Sequence, residues 1–444
     1  MKTQKTTNKR FIALLTILLF STFLWSCGDD STDPMDGNSA VLKGRVTTDG
    51  GYGTGLEKAG STNSSVEGAV VTVSRIESNG SLTAVSDTSV YTDSDGEFEL
   101  EIEATGEVDL LITATKGTSE WKAVVSVTVN ANAEIYVQPL NVESTAEAEV
   151  YVEAAKNSET DVVTYNEVAF YVNADIAAKI VGNTTAVQAV KNALVIRANT
   201  EKELLVSSEF GYSSSDVSSI KEVEVNAQAE LESDLYFSTD NESSYDVAWE
   251  SYFSAVINGY SNASITLNDY AKARETAGTA MINLSSGLDS DIQLQLRKRD
   301  AYLKAVLVTE AMVNEYAAAG ANTTQQAQVR TIGNTLKVSI KSATSVTAIN
   351  QAYAEFTSSV EANIQVTFSA ALAAYAKIQS TITGTIKAAL KTAIAAAANI
   401  DAVVNGYLDF YVNVESTIDT NMSGTDDSQL EIYSNIFALI YMHN

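Results

Sequence analysis

The spacing of apolar residues changes once along this chain, at Pro139. Upstream, apolar and polar residues alternate in short runs cut by Gly, Ser, Asn and Asp. Downstream, apolar residues recur three or four apart through long alanine-rich segments without proline. A period of two places side chains on opposite faces of a strand, and a period near 3.6 places them on one face of a helix, so the two parts cannot share one kind of fold. The chain has 444 residues and 45% apolar content, enough for two or three domains with real cores. The expected architecture is multidomain: a small all-β sandwich at 40–140, then a large all-α antiparallel helical bundle at 141–444.

The clearest strand is 97–103, where Phe98, Leu100 and Ile102 share one face and Glu97, Glu99, Glu101 and Glu103 the other. Trp121, Ala123, Val125, Val127 and Val129 repeat the inward period, and Ile135 and Val137 continue it. About seven short strands in some 100 residues point to a sandwich. Beyond Leu140, helical stripes are predicted at Tyr165, Val168, Val172, Ile176 and Ile180, at Trp249, Phe253, Val256 and Tyr260, and at Val329, Ile332, Leu336 and Ile340. A longer stripe runs from Ile349 through Tyr353, Phe356, Val360, Ile364, Phe368 and Leu372 to Tyr375. Unbroken over about 30 residues, it makes a helix of about 45 Å. The stripe Ile382, Ile386, Leu390 and Ile394 either extends it or, after a break near Gly384, begins its antiparallel partner. Polar breaks at 211–214, 238–241, 320–323 and 423–426 divide the region into about eight to ten helices, and no short repeat points to a solenoid.

The N-terminus carries Lys2, Lys5, Lys9 and Arg10, then an apolar stretch from Phe11 to Leu24, then Trp25-Ser26-Cys27-Gly28. Cys27 is the only cysteine, so an internal disulfide is excluded. The arrangement resembles the bacterial lipoprotein lipobox, with Trp25 a departure from the usual small residue. The resemblance implies a signal peptide at 1–26, cleavage between Ser26 and Cys27, and acylation of Cys27. Residues 27–39 then form a flexible acidic tether. Two or three acyl chains exceed what stable anchoring needs. Gly28, where an aspartate resembles an inner-membrane retention signal, favours outer-membrane delivery, facing the periplasm or the cell surface. No second membrane segment is expected in the mature part: the uncharged helical run 362–376 is broken by Asn363, Gln365, Thr367 and Ser369 and falls short of the ~20 residues needed to span.

Within 40–140, Leu42-Lys43-Gly44-Arg45-Val46, then Val66-Glu67-Gly68-Ala69-Val70-Val71-Thr72-Val73, then Tyr91-Thr92-Asp93-Ser94-Asp95-Gly96-Glu97-Phe98 resemble the carboxypeptidase regulatory-like (transthyretin-like) domain. Its pattern is G-x-V, G-A-x-V and T-D-x-x-G-x-F. Gly68 and Gly96 suit sharp turns. The resemblance covers about a quarter of the chain and implies a non-catalytic accessory β-sandwich. The long insertion from Gly50 to Ser65 departs from compact members and is a place for a binding contact. Asp93 and Asp95 mimic part of a calcium loop, but Tyr91 and Ile102 would occupy its first and last ligand positions, so a turn is expected. The Gly51 to Gly55 run opens no helix and lacks converging amides for a phosphate.

The chemistry of the remaining chain is limited. His443 is the only histidine, and it is expected to be frayed and structural. With Cys27 acylated, a Ser-His-Asp triad, a Cys-His pair and a histidine zinc site are excluded. The histidine-glutamate motif of imelysin-type helical lipoproteins is absent, against that family's metal or haem association. Carboxylate pairs remain, but Asp289/Asp291 and the Glu97 to Glu103 ladder read as helix termini or wet faces. Arg297-Lys298-Arg299 reads as an exposed helix face. No catalytic, cofactor-binding or metal residue is assigned.

Net charge is −28, and −32 once the four basic residues ahead of Cys27 are removed. Such a chain is repelled by nucleic acid and by anionic membrane surfaces. The expected function is that of a lipid-anchored cell-envelope protein with a non-catalytic binding, adhesion or structural role. Its partners are then the membrane through the lipid on Cys27 and an envelope protein or glycan. The alternative is a carboxylate-dependent glycan-active hydrolase of the envelope, which a deep pocket with paired, shielded carboxylates would favour. A minor alternative, a membrane-perturbing helical bundle, rests on the Ala-rich run from Ala388 to Val404, against which Lys391 and Asp401 weigh.

Overall fold

A computed structural model of the chain describes residues 39–48, 64–85, 89–103, 106–237, 242–262, 264–369 and 372–443. Ser26, Cys27, the tether to residue 38 and most of the Gly50 to Ser65 insertion lie outside the described residues. Strands come first: β1 (Ser39–Arg45), β2 (Val70–Ile76), β3 (Leu82–Ala84), β4 (Val90–Tyr91), β5 (Glu97–Glu103), β6 (Gly106–Lys116), β7 (Ser119–Val129) and β8 (Glu134–Tyr136). They make two sheets. In one, β1 lies between β5, antiparallel, and β8, parallel; the other has the order β3-β2-β6-β7, with β4 also paired to β2.

Alternation sets the register of the first sheet. Ala40, Leu42 and Gly44 face Ile102, Leu100 and Phe98 across the β1/β5 ladder, and the four glutamates of β5 point to water. The apolar cluster they build also takes Val71 and Val73 of β2, Leu110, Ile112 and Ala114 of β6, and Ala123, Val125 and Val129 of β7. One core is therefore shared by the two sheets. Gly44 is required by it, because a Cβ there would run into the Phe98 ring. Gly68 and Gly96 take φ of +71° and +75°, the left-handed values their turns need. Asp93 Oδ1 accepts the backbone N–H groups of Asp95 (2.9 Å) and Glu97 (2.8 Å), so this aspartate closes its own turn.

The second sheet has two apolar faces. Leu111, Val124 and Ile76 point away from the shared core and pack into the core of the helical region. Runs of consecutive buried apolar residues, Leu110-Leu111-Ile112 in β6 and Ala123-Val124-Val125 in β7, reflect burial on both sides. The chain crosses from sheet to helix at Gln138-Pro139-Leu140, all buried. Asn141 then caps the first helix reciprocally: its Oδ1 accepts Ser144 N–H at 3.0 Å, and Ser144 Oγ accepts Asn141 N–H at 2.9 Å.

The helices are α1 (Val142–Lys156), α2 (Tyr165–Tyr171), α3 (Ala174–Ile180), α4 (Thr184–Val206), α5 (Ser214–Phe237), α6 (Glu242–Asn262), α7 (Leu267–Leu284), α8 (Ser290–Ala318), α9 (Thr323–Ser342), α10 (Val346–Phe368), α11 (Tyr375–Thr381), α12 (Lys387–Ala396), α13 (Ile400–Asn421) and α14 (Asp427–Tyr441). More helices occur than the eight to ten expected, because several start at side-chain caps that apolar spacing does not register. Asn173, Asn183, Thr266, Asp289, Ser345 and Asn399 each accept a backbone N–H of the first turn. The stripe from Tyr165 to Ile180 is accordingly two helices, α2 and α3. The long stripe from Ile349 to Tyr375 is also divided, since α10 ends at Phe368 and α11 begins at Tyr375. Near Gly384 the chain does not reverse: a π-helical turn, Ile382–Ile386, joins α11 to α12.

α1 lies on β7, where Thr145 Oγ1 accepts Lys122 N–H at 3.0 Å and Tyr151 donates to Asp109 of β6 at 2.6 Å. α7 packs against both α4 and α8, and α13 and α14 close over it. No described helix is long and apolar enough to cross a membrane. Replacing Gly44 with Ala forces the Phe98 ring out of its site; we expect a loss of about 1–3 kcal/mol in urea unfolding, with Gly384→Ala, whose Cβ meets open space on a helical backbone, losing less.

Candidate functional site

α7 is a helix buried on all sides that nevertheless carries Lys272, Arg274 and Glu275, all buried. Its small residues Ala271, Ala273, Ala277, Gly278 and Ala280 let neighbours come close, and α4, α5 and α8 bring counter-charges. Arg274 Nε lies 2.9 Å from Glu201 of α4, and its Nη2 pairs with Glu224 of α5. Glu201 also takes Arg197 Nη1 at 2.9 Å, and Arg197 Nε pairs with Glu167 of α2. Tyr260 and Tyr270 donate to Glu224 at 2.5 and 3.0 Å. Burial opposes these charges, but the surrounding carboxylates hold both guanidinium groups above their ordinary values.

The next residue of α7, Glu275, points to a different side of the helix and lies beside an open cavity of about 500 Å³. Four helices build its wall at helical spacing: Glu275, Gly278, Thr279 and Asn283 from α7, Arg297, Asp300, Ala301 and Lys304 from α8, Ile349, Asn350 and Tyr353 from α10, and Lys391, Ile394 and Ala395 from α12. Gly278 is forced by this arrangement, since a Cβ on it would collide with the Asp300 carboxyl.

The floor is already bonded. Glu275 Oε2 meets Lys304 Nζ at 2.5 Å and His443 Nδ1 at 3.2 Å, while Oε1 accepts Tyr407 at 3.1 Å and Thr279 at 3.5 Å. Burial acts to raise the Glu275 carboxyl, but Lys304 and His443 outweigh it and hold the group far below the usual carboxylate range. Asp300 goes the other way, because burial dominates there and raises it; Tyr171 donates to it at 3.2 Å. Two carboxylates on one cavity are thus shifted in opposite senses. Tyr353 lies under both Lys304, 4.4 Å from the ring centroid, and the His443 ring, 4.3 Å away.

Two readings of the sequence are corrected. His443 is not frayed: it is 2% exposed, packed on Tyr353 and Phe356 and bonded to Glu275. Arg297-Lys298-Arg299 is not an exposed face. Lys298 and Arg299 are buried, Arg299 beneath the Phe170 ring, and only Arg297 reaches the cavity. Asp289 and Asp291 lie at a helix terminus as expected, Asp289 capping α8 and Asp291 pairing with Lys179 at 2.9 Å. Among the described residues no group of three or more His, Cys, Asp or Glu is placed to hold a metal ion. Glu275 on α7 and Asp300 and Lys304 on α8 were missed because a charged side chain carries no apolar signal and reads as solvent-facing. The available signal was Lys272-Ala273-Arg274-Glu275 within an Ala/Gly-rich helix, where charges sit on a backbone that neighbours can approach closely. No protein-family model, curated protein or solved structure matches the chain.

Breaking the floor leaves a buried ammonium without its partner, so Glu275→Ala should cost about 3–5 kcal/mol in chemical denaturation. His443 supplies a pH test. Burial pulls its imidazole down to about 4, whereas an unfolded histidine titrates near 6.5. Between those values the unfolded chain binds a proton that the native one does not, so this stability is complete above pH 6.5 and lost as pH falls towards 4. In thermal melts across that window, His443→Gln, which keeps a donor for Glu275, should lose less stability on acidification than the unaltered protein.

Proposed function

We propose that the protein is a lipid-anchored component of the bacterial cell envelope that binds a small polar ligand, without catalysis, in the cavity between α7, α8, α10 and α12. In this reading Cys27 carries the acyl chains, residues 27–39 are the tether, and the strand region is a transthyretin-like sandwich serving as spacer or docking module. The core common to both sheets and the Gly44, Gly68 and Gly96 geometry support the sandwich. The helical region is the ligand-binding unit.

The observation that carries the non-catalytic reading is the state of Glu275. A general base or nucleophile needs a free lone pair and an affinity for the proton it takes. Glu275 has both oxygens engaged by Lys304, His443, Tyr407 and Thr279, and its pKa is driven down. Such a group is a poor base and a good rigid support.

The reading as a carboxylate-dependent hydrolase of envelope glycans has Asp300 in its favour, since a raised carboxyl is what a general acid needs. One preparation separates the two. Full chain expressed in a Gram-negative host should label with radioactive palmitate and fractionate with the outer membrane; Cys27→Ser should do neither. The purified protein should release no reducing ends from envelope glycans. Labelling that persists in Cys27→Ser would remove the anchor, and glycan cleavage abolished by Asp300→Asn would establish the hydrolase.

A further inference from the structure

The charged residues of the cavity fall into two tiers. On the floor, Glu275 and Lys304 neutralise each other at 2.5 Å, and Asp300 is 6% exposed and accepts a hydrogen bond from Tyr171. At the mouth, Arg297 and Lys391 enter from α8 and α12 without an acidic partner among the described residues. Arg297 gives one bond, from Nη2 to Asn350 Oδ1 at 2.9 Å, and its Nε is buried with no acceptor. A buried guanidinium N–H without an acceptor is costly unless something completes it.

This placement runs against the chain's composition. Carboxylates outnumber lysine and arginine two to one, 56 against 28, yet the unpaired charge at this mouth is cationic. Beside it stand Asn283, Asn350 and Thr279, whose amides and hydroxyl both donate and accept. A volume of about 500 Å³ suits a small molecule rather than a polymer segment.

Resting on the binding reading above, we propose that the cavity takes a small hydroxylated oxyanion, a sugar acid or a sugar phosphate, whose anionic group lies between Arg297 and Lys391 and whose hydroxyls meet Asn283, Asn350 and Thr279. The acidic surface repels such a ligand at long range, so capture depends on these two cations at short range. Arg297 is the stronger anchor, because its planar guanidinium presents paired N–H donors that match the oxygens of a carboxylate or phosphate, whereas Lys391 offers a point charge.

The test is titration calorimetry on the full chain in neutral detergent micelles, with glucuronate, glucose 6-phosphate, glucose and inorganic phosphate as probes. At least one anionic sugar should bind about tenfold or more tightly than glucose, and weaken as salt rises. The stronger of the two identifies the oxyanion. Arg297→Gln and Lys391→Gln should each weaken that sugar about tenfold while leaving the melting temperature without ligand near that of the unaltered protein. Lys377→Gln, an exposed cation on α11, should change nothing. Glucose binding as tightly as both anions would overturn the ligand class and leave a neutral-ligand cavity standing. Inorganic phosphate binding as tightly as the sugars would overturn the role given to the hydroxyls. Full affinity in the Arg297→Gln/Lys391→Gln double variant, or no binding by any probe, would overturn the site. None of these results touches acylation at Cys27, which palmitate labelling reads separately.

Discussion

Burying a charged helix is the constraint on which the helical region depends. α7 is enclosed on every side, and Lys272, Arg274 and Glu275 are enclosed with it. An ion taken out of water costs several kcal/mol unless it meets an opposite charge and its remaining donors and acceptors are satisfied. The surrounding elements answer that demand with Glu201 from α4, Glu224 from α5, Lys304 from α8 and His443 beyond the end of α14. Apolar packing alone is tolerant of sliding and rotation, whereas these pairs fix how each helix is rotated about its axis.

The cavity follows from the same arrangement. Side chains that meet in pairs across α7 and α8 leave a space above them that neither helix can fill, because Glu275 and Asp300 are turned inwards to their partners. α10 and α12 bound that space from the other side. The wall is therefore held by bonded groups rather than by loops, and a ligand entering it finds polar atoms already in position.

The strand region was legible because its physics is local. Alternation at 97–103 stated which residues face in, and Gly68 and Gly96 marked turns that only left-handed backbone makes. The change of element type at Pro139 was equally plain. What apolar spacing could not convey was the second buried face of β6 and β7, where Leu111 and Val124 look like ordinary strand residues until α1 is known to lie over them. The stripes on α6 and α9 were legible too. Lys272, Arg274, Arg299 and Asp300 were not, because a charged side chain reads as solvent-facing unless its partner is known, and the partners lie far along the chain: Glu201, Glu224 and Tyr171. His443 was misjudged for the same reason, since position near the end of the sequence says nothing about Tyr353 and Glu275 packing around it.

The contact between Gly278 and Asp300 bears on how such a chain can change over generations. Any side chain at 278 collides with the carboxyl at 300, so position 278 is not free to drift singly. A lineage that shortens residue 300 first opens 278 to alanine or serine at little cost, while the reverse order passes through a strained intermediate. Divergent descendants that carry a side chain at 278 should therefore also have changed at 300.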